Sequence, residues 1–163
     1  MLVTCDAVRK IKEFSTDGQL LHVLTLPQDV VSPWHAIRLS SGQFIVCHGD
    51  LCDRLHRVCM VGSDGSVVKS LGGTKGSAIQ QMDVPCHIAV DRNHFVLVVD
   101  ANNYRLSLLS SQLTYVREVM SRKQLGWKPR RVHLDSQRGR LYVAVNEYRD
   151  GRWTSGRVTV VSV

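Results

Sequence analysis

The chain has 163 residues, of which 44% are hydrophobic and 21% charged, and a net charge of +7 at neutral pH. This is the balance of a folded domain with a core, not of a disordered tail, and no apolar run is long enough for a membrane-spanning helix. The excess of Lys and Arg suits acidic partners, nucleic acid among them; its densest local concentration is RKQLGWKPRR at 122–131. The N-terminal MLVTCDAVRKIKEF is too charged for a secretion leader. The odd count of five Cys, four of them in or beside apolar runs, reads as reduced thiols, so a cytoplasmic location is expected.

Short runs of Val, Ile and Leu punctuated by turn residues predict strands along the whole chain. They begin with LVTC (2–5) and the run from Lys10, then AIRL (36–39), FIVC (44–47), the run from Arg57 and VVKSL (67–71). HIAV (87–90), VLVV (96–99), the run from Arg105, YVREVM (115–120), RVHL (131–134), LYVA (141–144) and the run from Arg157 complete the series. The stretch AIQQMDV (78–84) is the one helical expectation, of at most one or two turns.

The strands repeat. The basic residue that opens an apolar run recurs at Lys10, Arg57, Arg105 and Arg157, at intervals of 47, 48 and 52 residues. A Pro-led strand recurs at Pro33-Trp34-His35, Pro85-Cys86-His87 and Pro129-Arg130-Arg131. Units of this length with four antiparallel strands are the size of a propeller blade. The expected fold is therefore all-β, a partial β-propeller of about three and a half four-stranded blades. The units run at about 1–28 (partial), 29–75, 80–121 and 125–163, with three, four, four and three strands.

The stretch VPCHIAVDRNHFVLVVDANNYRLSLL (84–109) resembles an NHL repeat: a Pro-led strand ending in Asp, a Val-rich second strand and an Asn-x-Arg turn into the third. The copies at 32–73 and 127–163 keep the pattern with His48 and Val145 at the Asp position, and the last has a longer loop between its second and third strands. The chain is most similar to the C-terminal propeller of invertebrate tripartite-motif (TRIM-NHL-like) proteins. That resemblance implies a recognition module of a ubiquitin ligase, binding protein or single-stranded RNA, with no cofactor. The ligase activity belongs to a RING, and no Cys/His array of RING or B-box spacing is present, so the chain itself is expected not to be an enzyme. NHL propellers usually have six blades, and the remainder is expected to be missing or supplied by a longer chain. The alternatives are a small closed ring whose ends share a blade and a degenerate fragment without independent function.

Candidate chemistry is sparse. Cys47, His48, Cys52 and Cys59 invite a zinc reading, but their spacing fits no common structural motif; buried thiols are the simpler account. His35 and His87 recur at one repeat position and could line a channel metal site, as in the amidating-lyase or lactonase propellers that are the enzyme alternative. No catalytic residue and no metal site is assigned. Asp91 and Asp135 are expected to accept turn N–H groups. Asp100, Asn103 and Arg105, with Arg57 and Arg157 at the repeat position of Arg105, form structural turns, with Arg105 reaching back to Asp100. The candidate ligand-binding face comprises Trp34, His35, Lys75, His87, Tyr104, Lys128, Arg130 and Arg131, where cations can neutralise phosphate and aromatic rings can stack on unpaired bases.

Overall fold

A computed structural model describes residues 1–149 and 152–162. It contains four antiparallel sheets, in two compact units, Met1–Pro85 and Cys86–Val163.

In the first unit, β1 (Leu2–Cys5), β2 (Lys10–Phe14) and β3 (Leu20–Thr25) form a three-stranded meander, with a short 3-10 turn at Asp6–Val8. β4 (Pro33–Arg38), β5 (Phe44–His48), β6 (Leu55–Val61) and β7 (Val67–Thr74) form the next sheet in sequence order. The core lies between these two sheets, where Ile11, Leu24 and Leu26 meet Ala36, Phe44, Val46, Cys59 and Val61. In the second unit, β8 (Pro85–Val90), β9 (Val96–Asp100), β10 (Arg105–Leu109) and β11 (Tyr115–Met120) form a four-stranded sheet. β12 (Lys128–Asp135), β13 (Arg140–Arg149) and β14 (Arg152–Ser162) form a three-stranded one, of which β14 is an edge.

Burial explains the pattern of the runs. Every residue of β5 and of β9 is buried. A strand covered on both faces needs apolar side chains at successive positions, not alternate ones, which is why FIVC and VLVV are unbroken. Half of the residues of the fourth strands β7 and β11 are exposed, the charged Lys69, Arg117 and Glu118 among them.

The register is shared by all four sheets. In every sheet the repeated basic residue stands opposite a fixed position of the preceding strand: Lys10 opposite Cys5, Arg57 opposite His48, Arg105 opposite Asp100 and Arg157 opposite Val145. A second shared feature is a bulge after the leading Pro, between Pro33 and His35 and again between Pro129 and Arg131. Proline offers no N–H to the ladder, so the pairing slips there and Trp34 and Arg130 drop out of it.

Two expectations are corrected. AIQQMDV is a turn, not a helix. Gln81 N–H donates to Ala78 O (3.1 Å), Ala78 N–H is capped by the Gln81 side chain (3.2 Å), and Gln80 and Val84 have φ of 71° and 56°, outside the helical range. Among the described residues the single α-helical turn is α1 (Arg122–Leu125), started where Ser121 N–H donates to Gln124 Oε1 (2.9 Å). The longer loop expected between the last two strands is instead mostly ladder, with Glu147 opposite Ser155 and Arg149 opposite Arg152. Its Tyr, Trp and Thr are strand formers. Asp150, Gly151 and Val163 lie outside the described residues.

Candidate functional site

The repeat position is a set of distinct polar locks. In the third sheet Asp100 is fully buried, and its Oδ2 accepts from Arg105 Nε (2.8 Å) and Asn103 Nδ2 (2.8 Å). In the second sheet an imidazole takes the place of the carboxylate. His48 is fully buried, its Nδ1–H donates to Val31 O (3.1 Å) and its Nε2 accepts from Arg57 Nε (3.1 Å). Arg57 also pairs with Asp29 Oδ2 (2.7 Å). Burial, reinforced by the adjacent guanidinium, pushes the His48 pKa down to about 4. In the fourth sheet Val145 offers nothing polar. Arg157 there donates to Leu125 O (2.9 Å) and lies over the Trp127 ring, 4.8 Å from its centroid.

This last arrangement builds the best candidate binding surface. The turn 101–104 ends on Tyr104, held in the left-handed region (φ 53°) by Tyr104 N–H donating to Ala101 O (3.2 Å). Arg122, on α1, lies over the Tyr104 ring at 4.5 Å. Lys128 Nζ donates to Asn102 Oδ1. Tyr104, Arg122, Trp127, Lys128, Asn146 and Glu147 line a cleft of about 180 Å³. Two aromatic rings, each carrying a guanidinium on one face, therefore sit beside an ammonium, with Glu147 the one carboxylate among the described residues of the lining.

The other expected residues are distributed differently. In the second unit, His87 Nδ1 accepts from Val132 N–H (3.5 Å), Arg130 O accepts from Cys86 Sγ (3.4 Å) and from Arg131 Nη1 (3.0 Å), and Arg131 is exposed. In the first unit, Trp34 Nε1–H donates to Gly49 O (3.2 Å) and Lys75 Nζ to Leu51 O (3.4 Å), so both hold the loop after β5; Lys75 also lies 3.6 Å from Asp83 Oδ1. His35 is half-buried beside the bulge. The eight candidates thus fall on two units, and only Tyr104 and Lys128 share the cleft. Arg122, Trp127, Asn146 and Glu147 were not singled out from the sequence; the basic run 122–131 is the signal that contained the first two.

The cysteine and histidine stretch contributes buried side chains, apart from the exposed Cys52. Cys47, Cys59 and Cys86 are buried and unbridged, and burial pushes the Cys59 thiol up to about 12 and that of Cys86 to about 11. His56 is fully buried: its Nδ1 accepts from Val84 N–H (2.7 Å) and its Nε2–H donates to Asp53 O (3.0 Å). Because Nδ1 is an acceptor there, the 3.9 Å approach of Asp83 Oδ1 is not a charged pair. Among the described residues no three His, Cys, Asp or Glu converge as a metal site. Asp91 Oδ1 accepts from Asn93 and Phe95 N–H (2.9 and 2.7 Å), and Asp135 Oδ1 from Gln137 and Arg138 N–H (3.1 and 3.0 Å).

No family profile matches the chain, and no curated protein matches it. Solved structures do. A streptogramin B lyase is similar with a TM-score of 0.58 and 14% identity, over 99% of this chain and 50% of that one. Kuenenia stuttgartiensis hydrazine synthase gives a TM-score of 0.64 at 13% identity, over 97% of this chain and 45% of that one. Virginiamycin B lyase from Staphylococcus aureus gives 0.56 at 12%, over 97% and 50%. The chain spans about half the length of these structures. At such identities the likeness is one of fold: the chain is all-β, a partial β-propeller of four antiparallel sheets with three, four, four and three strands.

Proposed function

We propose that the chain is a non-catalytic recognition module that binds single-stranded RNA in the cleft between Tyr104 and Trp127. The observation that carries this reading is the pairing of each aromatic ring with a guanidinium, Tyr104 with Arg122 and Trp127 with Arg157, next to Lys128. Rings offer a stacking platform to any unpaired base, and the cations meet the phosphates. The net charge of +7 supports the same partner at longer range. With the resemblance of the repeats to tripartite-motif propellers, the chain is then the recognition part of a longer ubiquitin ligase, whose RING lies on other modules.

The test is fluorescence anisotropy with a labelled single-stranded RNA of about 12 nucleotides at two salt concentrations. Affinity falls with salt, Tyr104→Ala and Trp127→Ala each weaken binding by roughly 5- to 100-fold, and Lys128→Ala lowers the salt slope by about one. Binding without salt dependence, or unchanged in all three variants, overturns the reading. The likeness to lyases supports an enzyme reading by fold alone. A channel metal would need several further ligands converging on His35 or on His87.

A further inference from the structure

A second cavity lies in the same unit at the opposite rim of its two sheets. In an antiparallel meander the first–second and third–fourth turns share one rim and the second–third loops the other. The RNA-facing cleft is built from the second–third loop at Tyr104. The second cavity is built from the first–second turns, Asp91–Asn93 between β8 and β9 and Ser136–Gly139 between β12 and β13. Its volume, about 360 Å³, falls within the range of small-molecule pockets.

Its walls are apolar. Leu97 and Leu108 are cross-strand partners on β9 and β10, with Arg117 next in the same row on β11. Leu134 and Leu141 are partners on β12 and β13, and Phe95 and Val119 complete the lining. Leu108, Val119, Leu134 and Phe95 remain half-buried, so apolar surface there still faces solvent. A ligand with an apolar body removes that surface from water.

The mouth is cationic. Arg92 and Arg117 are exposed and make no ion pair among the described residues. The opposing carboxylate is Asp91, whose Oδ1 already accepts two backbone N–H groups. We infer that this cavity binds a small amphiphilic carboxylate, its chain against Leu97, Leu108 and Leu134 and its head between Arg92 and Arg117. The inference stands independently of RNA binding, because no residue is shared between the two clefts.

Calorimetric titration of the whole chain with decanoate, and with decanol as the uncharged comparator, tests it. Decanoate saturates one site and binds about tenfold or more tighter than decanol. The double variant Arg92→Ala/Arg117→Ala, which alters only exposed side chains, brings decanoate to the level of decanol. Leu108→Trp, which fills the cavity, removes both, with circular dichroism confirming that the variant is folded. The inference is overturned if decanoate shows no saturable binding up to about 1 mM, if decanol binds as well as decanoate, or if the double arginine variant binds decanoate unchanged.

Discussion

Acidification from pH 7.5 to 5 should destabilise the first unit through His48. In the unfolded chain this imidazole titrates near its ordinary value of 6.5; in the folded chain burial and Arg57 hold it near 4. Between those values the unfolded state binds the extra proton, so stability is fully present above pH 6.5 and is lost as pH falls toward 4. At 1.36 kcal/mol per pH unit, the whole span is worth about 3 kcal/mol, and the part reached at pH 5 about 2 kcal/mol. That is a large fraction of a typical domain's stability, and corresponds to a urea midpoint lower by about 1 M. The assay is urea denaturation at both pH values for the wild type and for His48→Gln. The variant loses some stability at pH 7.5, because Arg57 Nε loses its imidazole acceptor, but it should be about 2 kcal/mol less sensitive to pH than the wild type. Equal pH sensitivity in the two proteins would refute the assignment of His48 as a buried neutral base.

Removing the carboxylate of the third sheet should cost more than removing any exposed charge. Asp100→Ala removes the buried carboxylate that accepts from Arg105 and Asn103 and is expected to destabilise by about 3–5 kcal/mol in chemical denaturation, whereas Arg138→Ala, at an exposed pair, should leave the denaturation midpoint nearly unchanged. Gly49→Ala should be poorly tolerated: φ is +107° and a Cβ would lie 2.5 Å from Leu55 O and 2.9 Å from the His56 Cα. A loss of about 2–4 kcal/mol is expected, against a smaller one for Gly42→Ala, where φ is +85° but no atom stands within 4 Å. A thiol reagent at pH 8 should modify Cys52 rapidly in the native protein, while Cys47, Cys59 and Cys86 react only after denaturant is added, because burial covers all three and keeps the Cys59 and Cys86 thiols protonated.

Strands that are covered on both faces announced themselves in the sequence, because β5 and β9 have no exposed position at which a polar residue could interrupt the run. The basic residues at 10, 57, 105 and 157 were equally legible, since one backbone register places all four. Their partners were legible only where the partner is local: Asp100 lies five residues from Arg105, whereas Arg157 finds Trp127 and Leu125 some thirty residues away, across two strands. Propensity misled at 78–84, where Gln81 bonds backward to its own turn and Gln80 leaves the helical region. It also missed how far β13 and β14 continue. The apolar cavity had no signature at all. Leu97, Leu108 and Leu134 read as ordinary core, and only the space between two sheets distinguishes a lining residue from a packed one.

The edge position of β14 has a consequence for how the protein behaves at high concentration. In the second and third sheets the third strand is shielded by a fourth, but β14 presents an open row of N–H and C=O groups. Val158 and Val160 stand on one face of it, 59% and 52% exposed. The segment VTVV (158–161) has the β-propensity and lack of charge that promote intermolecular strand pairing. Arg157 flanks it and acts as a gatekeeper. Colloidal stability should thus depend on a few residues that contribute little to the core: Val158→Lys would keep the protein in solution at concentrations where the parent chain associates edge to edge.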